Sequence, residues 1–461
     1  MTTAVPLREF PMGPEPLARA EILHPPRRRS TVLALALSAA LAAGALLALP
    51  PIAAVAGLPS AISLGESLRL PGAYLATAPI SDLLDTLTLL TPGQHGAIFA
   101  WALAAFLAWR ALRWRRGPAR SWRALARETV LLALFLVAYA GFYVLGLLVP
   151  RPMAALALRD ADALAVDVHS HTAASHDGRR GYDAEANRRW HAAAGFAAAY
   201  VTDHVDFSGA EAGMARNPAR AGDGTVLLPG IESALPGAHV MVLGARRAMG
   251  VDHDGALDVA RIDSARGLIT VLAFPARLGS VPPRLALDAV EGSDGAPRGL
   301  RFTRKHVVQI RDFAAAHHLV RVAGSNNHGW GRTAAAWTVL RIPGWRAMTP
   351  DSLDAAIRTT LRRGVGARVV LRAVVAPPAS NALWIATPVL VAWDMLRRLS
   401  TSERLVWLVW IWGLVGLRAL WRRRAASPNA SAAGPASRFP PPGRTVPLRG
   451  RWGPRRRYAA P

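Results

Sequence analysis

Hydrophobic positions fall into two regimes along this chain. Near the ends they run on without a break. Residues 31–49 are 19 positions without a charge, closed by Pro50 and Pro51; at about 1.5 Å per residue such a run reaches across about 30 Å of hydrocarbon. Residues 95–112 form a weaker run, interrupted by Arg110, and 130–149 a strong one. Beyond the middle, 405–421 is a long apolar run despite Arg418, whereas 382–396 is short and contains Asp394. Residues 155–378 read differently. Short β-rich runs recur there: Leu164–His169, Ala198–His204, Val226–Glu232, His239–Gly244, Leu268–Pro275, Leu285–Glu291 and Leu319–Ser325. Alanine-rich stretches at Ala184–Ala199 and Thr303–His317 predict helices between some of them. That alternation predicts an α/β domain with a mostly parallel sheet.

Composition supports the division. Of 461 residues 52% are hydrophobic and only 18% charged, against about 25% charged in soluble domains. The absence of cysteine excludes disulfide scaffolds, thiolate zinc sites, iron–sulfur clusters and cysteine nucleophiles together. The net charge of +25 has the size of a nucleic-acid signature, but residues 155–378 carry 27 basic and 21 acidic residues, a difference of +6. The remaining +19 flanks the apolar runs, which is the pattern of membrane topology signals, so no nucleic-acid partner is expected.

Seven arginines between Arg110 and Arg127 place that loop on the cytoplasmic side and deliver the chain to the outer side near residue 150. A basic tail rich in Pro, Gly and Ala follows Arg422, Arg423 and Arg424 and reads as disordered. A cytoplasmic tail needs an odd number of later crossings, which gives four spans with 382–396 at the interface; five is the alternative. The expected organisation is a cytoplasmic basic segment (1–30), a membrane region with three helices (31–154), an α/β domain (155–378), a C-terminal membrane segment (379–424) and the tail (425–461). The expected partner is a lipid bilayer, and the expected location the inner membrane with the α/β domain outside the cytoplasm.

Ionisable residues gather at the C-terminal ends of the β-rich runs, where active sites of parallel sheets collect. In VDVHSHTAASHDG (166–178), His169 and His171 share one face of a strand; His176 and Asp177 follow in the next loop. Another run ends in Asp203–His204 and a third in Glu232, and His239 opens a fourth. A strand-end glutamate in an apolar setting is costly unless it is paired or holds a metal. Asp203 is placed to orient a ligand or assist proton transfer, or to be a plain strand-end carboxylate. His191, His253, His306, His317 and His318 fit no motif, and surface or satisfied core roles suit them.

These stretches resemble the PHP superfamily, the polymerase and histidinol phosphatase type metallohydrolases. The resemblance rests on His169-Ser170-His171-Thr172 with Asp177-Gly178, Thr202-Asp203-His204, Pro229-Gly230-Ile231-Glu232 with His239-Val240, and Gly324-Ser325-Asn326-Asn327-His328. It implies a distorted seven-stranded (β/α) barrel, flanked here by transmembrane helices, with two or three divalent ions (manganese, zinc or iron) and hydrolysis of small phosphoesters. It also implies that His169 and His171 hold one ion, that Glu232 bridges two, and that His239 holds the second. His204 and His328 would hold a third with a residue of the 176–177 pair. Two departures stand out: Phe274 occupies the family's histidine position, and Asn326 replaces an aspartate. Both imply weaker occupancy at one ion, because phenylalanine cannot ligate and an amide oxygen binds a hard cation more weakly than a carboxylate. Arg277 is a candidate phosphate fork, or one surface arginine among 54; Trp330 covers the pocket or packs in the core. Two functions remain: a membrane-anchored metal-dependent phosphoesterase, or a membrane sensor or scaffold whose degenerate barrel binds metal or ligand without turnover.

Overall fold

A computed structural model describes residues 27–54, 65–115, 121–204, 206–235, 238–246, 267–273, 286–364, 367–373 and 381–425. Phe274, Arg277, His253 and the tail after residue 425 lie outside the described residues. The chain divides into two units. Thr31–Trp412 carries the sheet and the site. Among the described residues the other unit holds only the first turn of one helix and the end of another.

In chain order the first half contains α1 (Arg27–Leu46), β1 (Ile52–Ala54), β2 (Ser67–Arg69), α2 (Gly72–Ala76), α3 (Ala78–Thr88), α4 (Pro92–Arg115) and α5 (Trp122–Leu148). Then follow β3 (Ala155–Ala157), β4 (Ala163–Ser170), α6 (Ala184–Ala194), β5 (Ala198–Val201), α7 (Ser208–Met214), β6 (Val226–Leu235), β7 (Ala238–Leu243), β8 (Ile269–Ala273) and β9 (Ala289–Asp294). The chain continues through α8 (Pro297–Lys305), α9 (Val307–Ala316), β10 (Val320–Gly324), β11 (Ala336–Arg341), α10 (Pro350–Arg363) and β12 (Ala367–Arg372). It ends in α11 (Thr387–Arg398) and α12 (Thr401–Ala425).

Among the described residues three helices are long and apolar enough to cross a membrane: Pro92–Arg115, Trp122–Leu148 and Thr401–Arg422. The run expected to span at 31–49 forms α1, whose apolar part, Ser30–Leu46, is shorter. The 382–396 run becomes a short 3₁₀ turn and the 12-residue α11.

All seven expected runs form strands, but the sheet is not a closed seven-stranded barrel. Among the described residues it is a curled, open sheet of ten strands in the order β1-β12-β11-β4-β5-β6-β7-β8-β9-β10. The extra strands are antiparallel: β11 pairs with β4 and β12, and β1 pairs with β12. β1 comes from the stretch expected to be membrane region, as does β2, which pairs with β3. The parallel pairs β4–β5–β6 and β8–β9–β10 are separated by the antiparallel β6–β7–β8 meander. Between β10 and β4 there is no ladder. Two backbone bonds cross just beyond the end of β10: the Asn326 N–H donates to the His169 carbonyl (2.8 Å) and the His171 N–H to that of Asn327 (3.1 Å).

Both faces of the sheet are covered. Leu164, Val166 and Val168 of β4 pack with Tyr200, Leu228 and the α10 residues Leu353, Ile357 and Leu361. Ala163 and Ala165 pack on the other side with Trp190, Ala194, Trp337 and Val339. A strand buried on both faces reads as a continuous apolar run, which is why these segments stood out in the sequence.

Two helices differ from expectation. The 184–199 stretch stops at Ala194, because Gly195 adopts φ +88° and the N–H groups of Gly195 and Phe196 donate back to the Ala192 and His191 carbonyls. A side chain at 195 would strike the Leu156 backbone, so the close approach of β3 needs glycine. The 303–317 stretch is broken at His306, which ends α8 and begins α9.

Candidate metal centre

The site is built where β4 leaves its regular ladder. The β4–β5 register shifts between Asp167 and Ser170, and such irregularities re-aim side chains beside active sites. Asp167 fixes the shifted segment. Its Oδ1 accepts from the backbone N–H groups of His169 and Ser325, and its Oδ2 accepts from His191 Nε2 at 2.7 Å. His191 is thus a satisfied core histidine, as its lack of a motif suggested.

His169 and His171 point to one place, with their Nε2 atoms 3.1 Å apart. Glu232, at the end of the parallel part of β6, reaches the same place. Its Oε2 lies 3.1 Å from His169 Nε2, 3.2 Å from His171 Nε2 and 3.5 Å from His204 Nε2. Its other oxygen, Oε1, lies 2.6 Å from His239 Nδ1. One carboxylate therefore faces two sets of imidazoles from its two oxygens. His328 stacks on His171, with centroids 4.0 Å apart.

Asp177 and His176 are now distinguished by placement. Both are exposed, but Asp177 turns its carboxylate to His204 Nε2 (3.6 Å) and His328 Nδ1 (3.2 Å), while His176 only tilts its ring against His204. Asp177→Ala is expected to remove one bound ion from the purified protein and His176→Ala none. Elemental analysis checks this, and equal losses would make His176 a ligand.

Asp203 accepts from Thr172 N and from Thr172 Oγ1, both at 2.6 Å, and stands 4.0 Å from His171 Nδ1. Its carboxylate anchors the loop after His171; burial pushes its pKa up. Asn326 is held at φ +44°. Its Nδ2 donates to Asp294 and its Oδ1 accepts from His328 Nε2 at 2.8 Å.

Two carboxylates not among the sequence candidates join the cluster. Glu291 of β9 lies 3.1 Å from His169 Nδ1 through Oε1, and Asp294, at the end of β9, completes a group with both. The signal was present: the run Leu285–Glu291 ends in a carboxylate, like the run that ends in Glu232. A side chain at Gly324 would strike His169 Cβ and Glu291 Oε1, so β10 can pass this close only as glycine.

The electrostatics follow from burial and pairing. Burial works against charge on His169, but Glu232 and Glu291 overcome it and hold the imidazole well above its ordinary pKa. Burial likewise opposes charge on Glu232, and the surrounding imidazoles, His169 foremost, hold it well below the usual carboxylate range. Burial takes His204 down to about 4 and His328 to about 3. Both are neutral near pH 7, the form that can donate a lone pair. Burial and then Glu291 raise Asp294 to about 8.

Three groups of these residues each bring their ligand atoms within 4.8 Å of one another: His169–His171–Glu232, His204–Glu232–His239 and His169–Glu291–Asp294. The donor set of imidazole and carboxylate suits divalent metal ions. His328 Nε2 is taken by Asn326, and its buried Nδ1 makes no aligned hydrogen bond and faces only the Asp177 carboxylate at 3.2 Å, an expensive state for a polar atom unless it meets a ligand. The residues fit divalent ions.

Solved structures similar to this chain include a two-domain protein. That two-domain protein from Bacteroides vulgatus, containing a predicted PHP-like metal-dependent phosphoesterase, shares 15% identity over 45% of this chain and 64% of its own length, with a TM-score of 0.31. PsfC from Pseudomonas syringae shares 19% identity over 51% of this chain and 98% of its own, with a TM-score of 0.32. An amidohydrolase from Chromobacterium violaceum shares 17% identity over 41% and 96%, with a TM-score of 0.28. No protein-family model and no curated protein matches the chain.

Proposed function

We propose that this protein is a membrane-anchored, metal-dependent hydrolase of the PHP type, acting on small phosphoesters outside the cytoplasm. The observation that carries this reading is Glu232, whose two oxygens face His169, His171 and His204 on one side and His239 on the other. A carboxylate so placed is built to span neighbouring cations. Divalent ions in such a site supply Lewis acidity toward a phosphoryl oxygen and activation of water near neutral pH.

The chain's own residues supply position and charge. Glu291 grips His169 at Nδ1 and so presents Nε2 to the site, as partners of ligating histidines do. Asp203 fixes Thr172 and with it the turn that follows His171. His204 and His328 stand neutral and ready to bind. Asp177, Glu232 and Glu291 bring negative charge to one end of the sheet, where divalent ions would offset it, and Asp294, held protonated near pH 7 by burial and Glu291, would ionise on meeting an ion. The expected organisation follows the same reading: residues 155–378 as the catalytic domain, with apolar helices on either side as anchors.

The sensor reading has one observation in its favour. Asn326, where the family has an aspartate, commits its amide to His328 and Asp294. The two readings part in one experiment. The full-length protein, purified in detergent and loaded with manganese, zinc or iron, is expected to hydrolyse members of a phosphoester panel and to lose that turnover to a chelator. A fully loaded site that stays silent toward the whole panel would overturn the hydrolase reading.

A further inference from the structure

Helix α8 has two faces of opposite character. Leu300 is buried with Leu89 and Ala335, and Arg304 Nη1 donates to the Leu89 carbonyl at 2.9 Å. This face docks the helix on the end of α3, just before α4 begins. The other face carries Arg298, Arg301, Phe302 and Lys305 at spacings of three, four and seven, which align on one side of a helix. With His306 and Pro92 they line a concavity of about 260 Å³. Arg298, Arg301 and Lys305 are exposed. Among the described residues no carboxylate lines the concavity, and none of the three cations has an ion-pair partner.

The place of this concavity in the fold decides what it meets. Pro92 is the first residue of α4, one of the three helices long and apolar enough to cross a membrane. The ring of Trp384 lies against Gly93, and tryptophan at the end of an apolar helix is characteristic of the headgroup level. On the far side of His306, Val307 and Val308 open α9 with 47% and 51% of their surface exposed. Three cations without an ion-pair partner among the described residues and two exposed valines therefore sit together where an apolar helix begins. Arginine forks match phosphate oxygens, and juxtamembrane cations are attracted to anionic lipid.

We propose that Arg298, Arg301 and Lys305, at the entrance of α4, hold the phosphodiester headgroup of an anionic phospholipid. The site is separate from the metal cluster. The inference rests on reading α4 as a membrane span and is independent of whether the metal centre turns over. Binding seats α8 on the bilayer surface, and α8 starts just after Asp294 of the cluster.

The test uses the full-length protein in an uncharged detergent, with bound lipid counted by native mass spectrometry during titration. Phosphatidylglycerol is expected to bind the wild type on the order of a hundredfold more tightly than the triple variant Arg298→Gln, Arg301→Gln, Lys305→Gln, about fivefold for each cation removed. The double variant Arg298→Lys, Arg301→Lys keeps the charge and is expected to bind within about threefold of the wild type. Phosphatidylcholine should not distinguish the three proteins, and added salt should weaken only the anionic lipid. If the triple variant is unstable, Arg301→Glu alone carries the comparison, with an expected loss greater than fivefold. Equal binding of phosphatidylglycerol by the wild type and the charge-removed variants would overturn the proposal. So would its displacement by millimolar inorganic phosphate, which would make this a site for a soluble anion. Carbonate extraction of the same membranes tests the anchoring separately.

Discussion

Glu232→Gln is expected to lower metal-dependent hydrolysis by more than about a hundredfold, because even outer-sphere partners of metal ligands cost about 10–100-fold and Glu232 stands at the centre. The substitution is nearly isosteric, so packing is retained. What it removes is the negative charge that His169, His171, His204 and His239 all face. Two readouts are expected to change together. Elemental analysis should show at least one ion fewer per chain. The rise in melting temperature on adding metal should also shrink, since an ion that binds only the folded state stabilises it by mass action. Asn326→Asp is the informative counterpart. It adds a carboxylate beside Asp294 and His328 and is expected to tighten metal binding without disturbing the fold. Wild-type metal content and wild-type turnover in Glu232→Gln would remove the bridging role and, with it, the observation on which the functional reading rests.

The second large effect lies away from the metal. Asp85→Ala is expected to destabilise the protein by about 3–5 kcal/mol, the usual penalty for removing one partner of a buried ion pair. Asp85 is 2% exposed and sits between Arg151 Nη1 at 2.5 Å and Arg372 Nη1 at 2.8 Å. Tyr74 and Thr333 also donate to it. Its loss leaves two guanidinium groups with little access to water and without the carboxylate that pairs with both. Asp85→Asn keeps the shape and is expected to cost nearly as much, because the charge is what balances the arginines. Thermal unfolding in detergent measures both. The same substitution should also weaken metal binding. Arg151 and Thr88 both donate to Thr333, and the Gly331 N–H donates to the Leu147 carbonyl at the end of α5. The loop that begins at His328 is therefore tied down within five residues to an apolar helix and to α3. A melting temperature unchanged by Asp85→Ala would show that this hub contributes nothing to stability.

Much of the site was legible because its chemistry is local. His169 and His171 share a strand, Asp203 and His204 adjoin, and Glu232 ends an apolar run, so motif and period were enough to nominate them. Glu291 and Asp294 were not nominated, because their role depends on how near β9 comes to β4. Those strands are far apart in sequence and stand on opposite sides of the curled sheet. The 176–177 pair stayed ambiguous for a related reason. Adjacent loop residues differ in where the backbone turns them, and only the packed loop shows that Asp177 faces His204 and His328.

The fold divides along the same line. Burial on both faces makes a parallel strand apolar throughout, so the seven runs and the three longest apolar helices could be read directly from hydrophobic pattern. Sheet closure could not. Whether β10 joins β4 through a full ladder or two single bonds, and whether β11, β12 and β1 extend the opposite edge, depends on pairings between segments distant in the chain. The partners of Asp85 belong to this second class, since Arg151, Thr333 and Arg372 are brought to α3 only by the assembled sheet. The sequence determined which residues carry apolar surface and which carry ligand atoms, because side-chain chemistry and the helical and strand periods are properties of short segments. Tertiary structure alone decided which of those atoms converge, because convergence is set by long-range packing that no local pattern encodes.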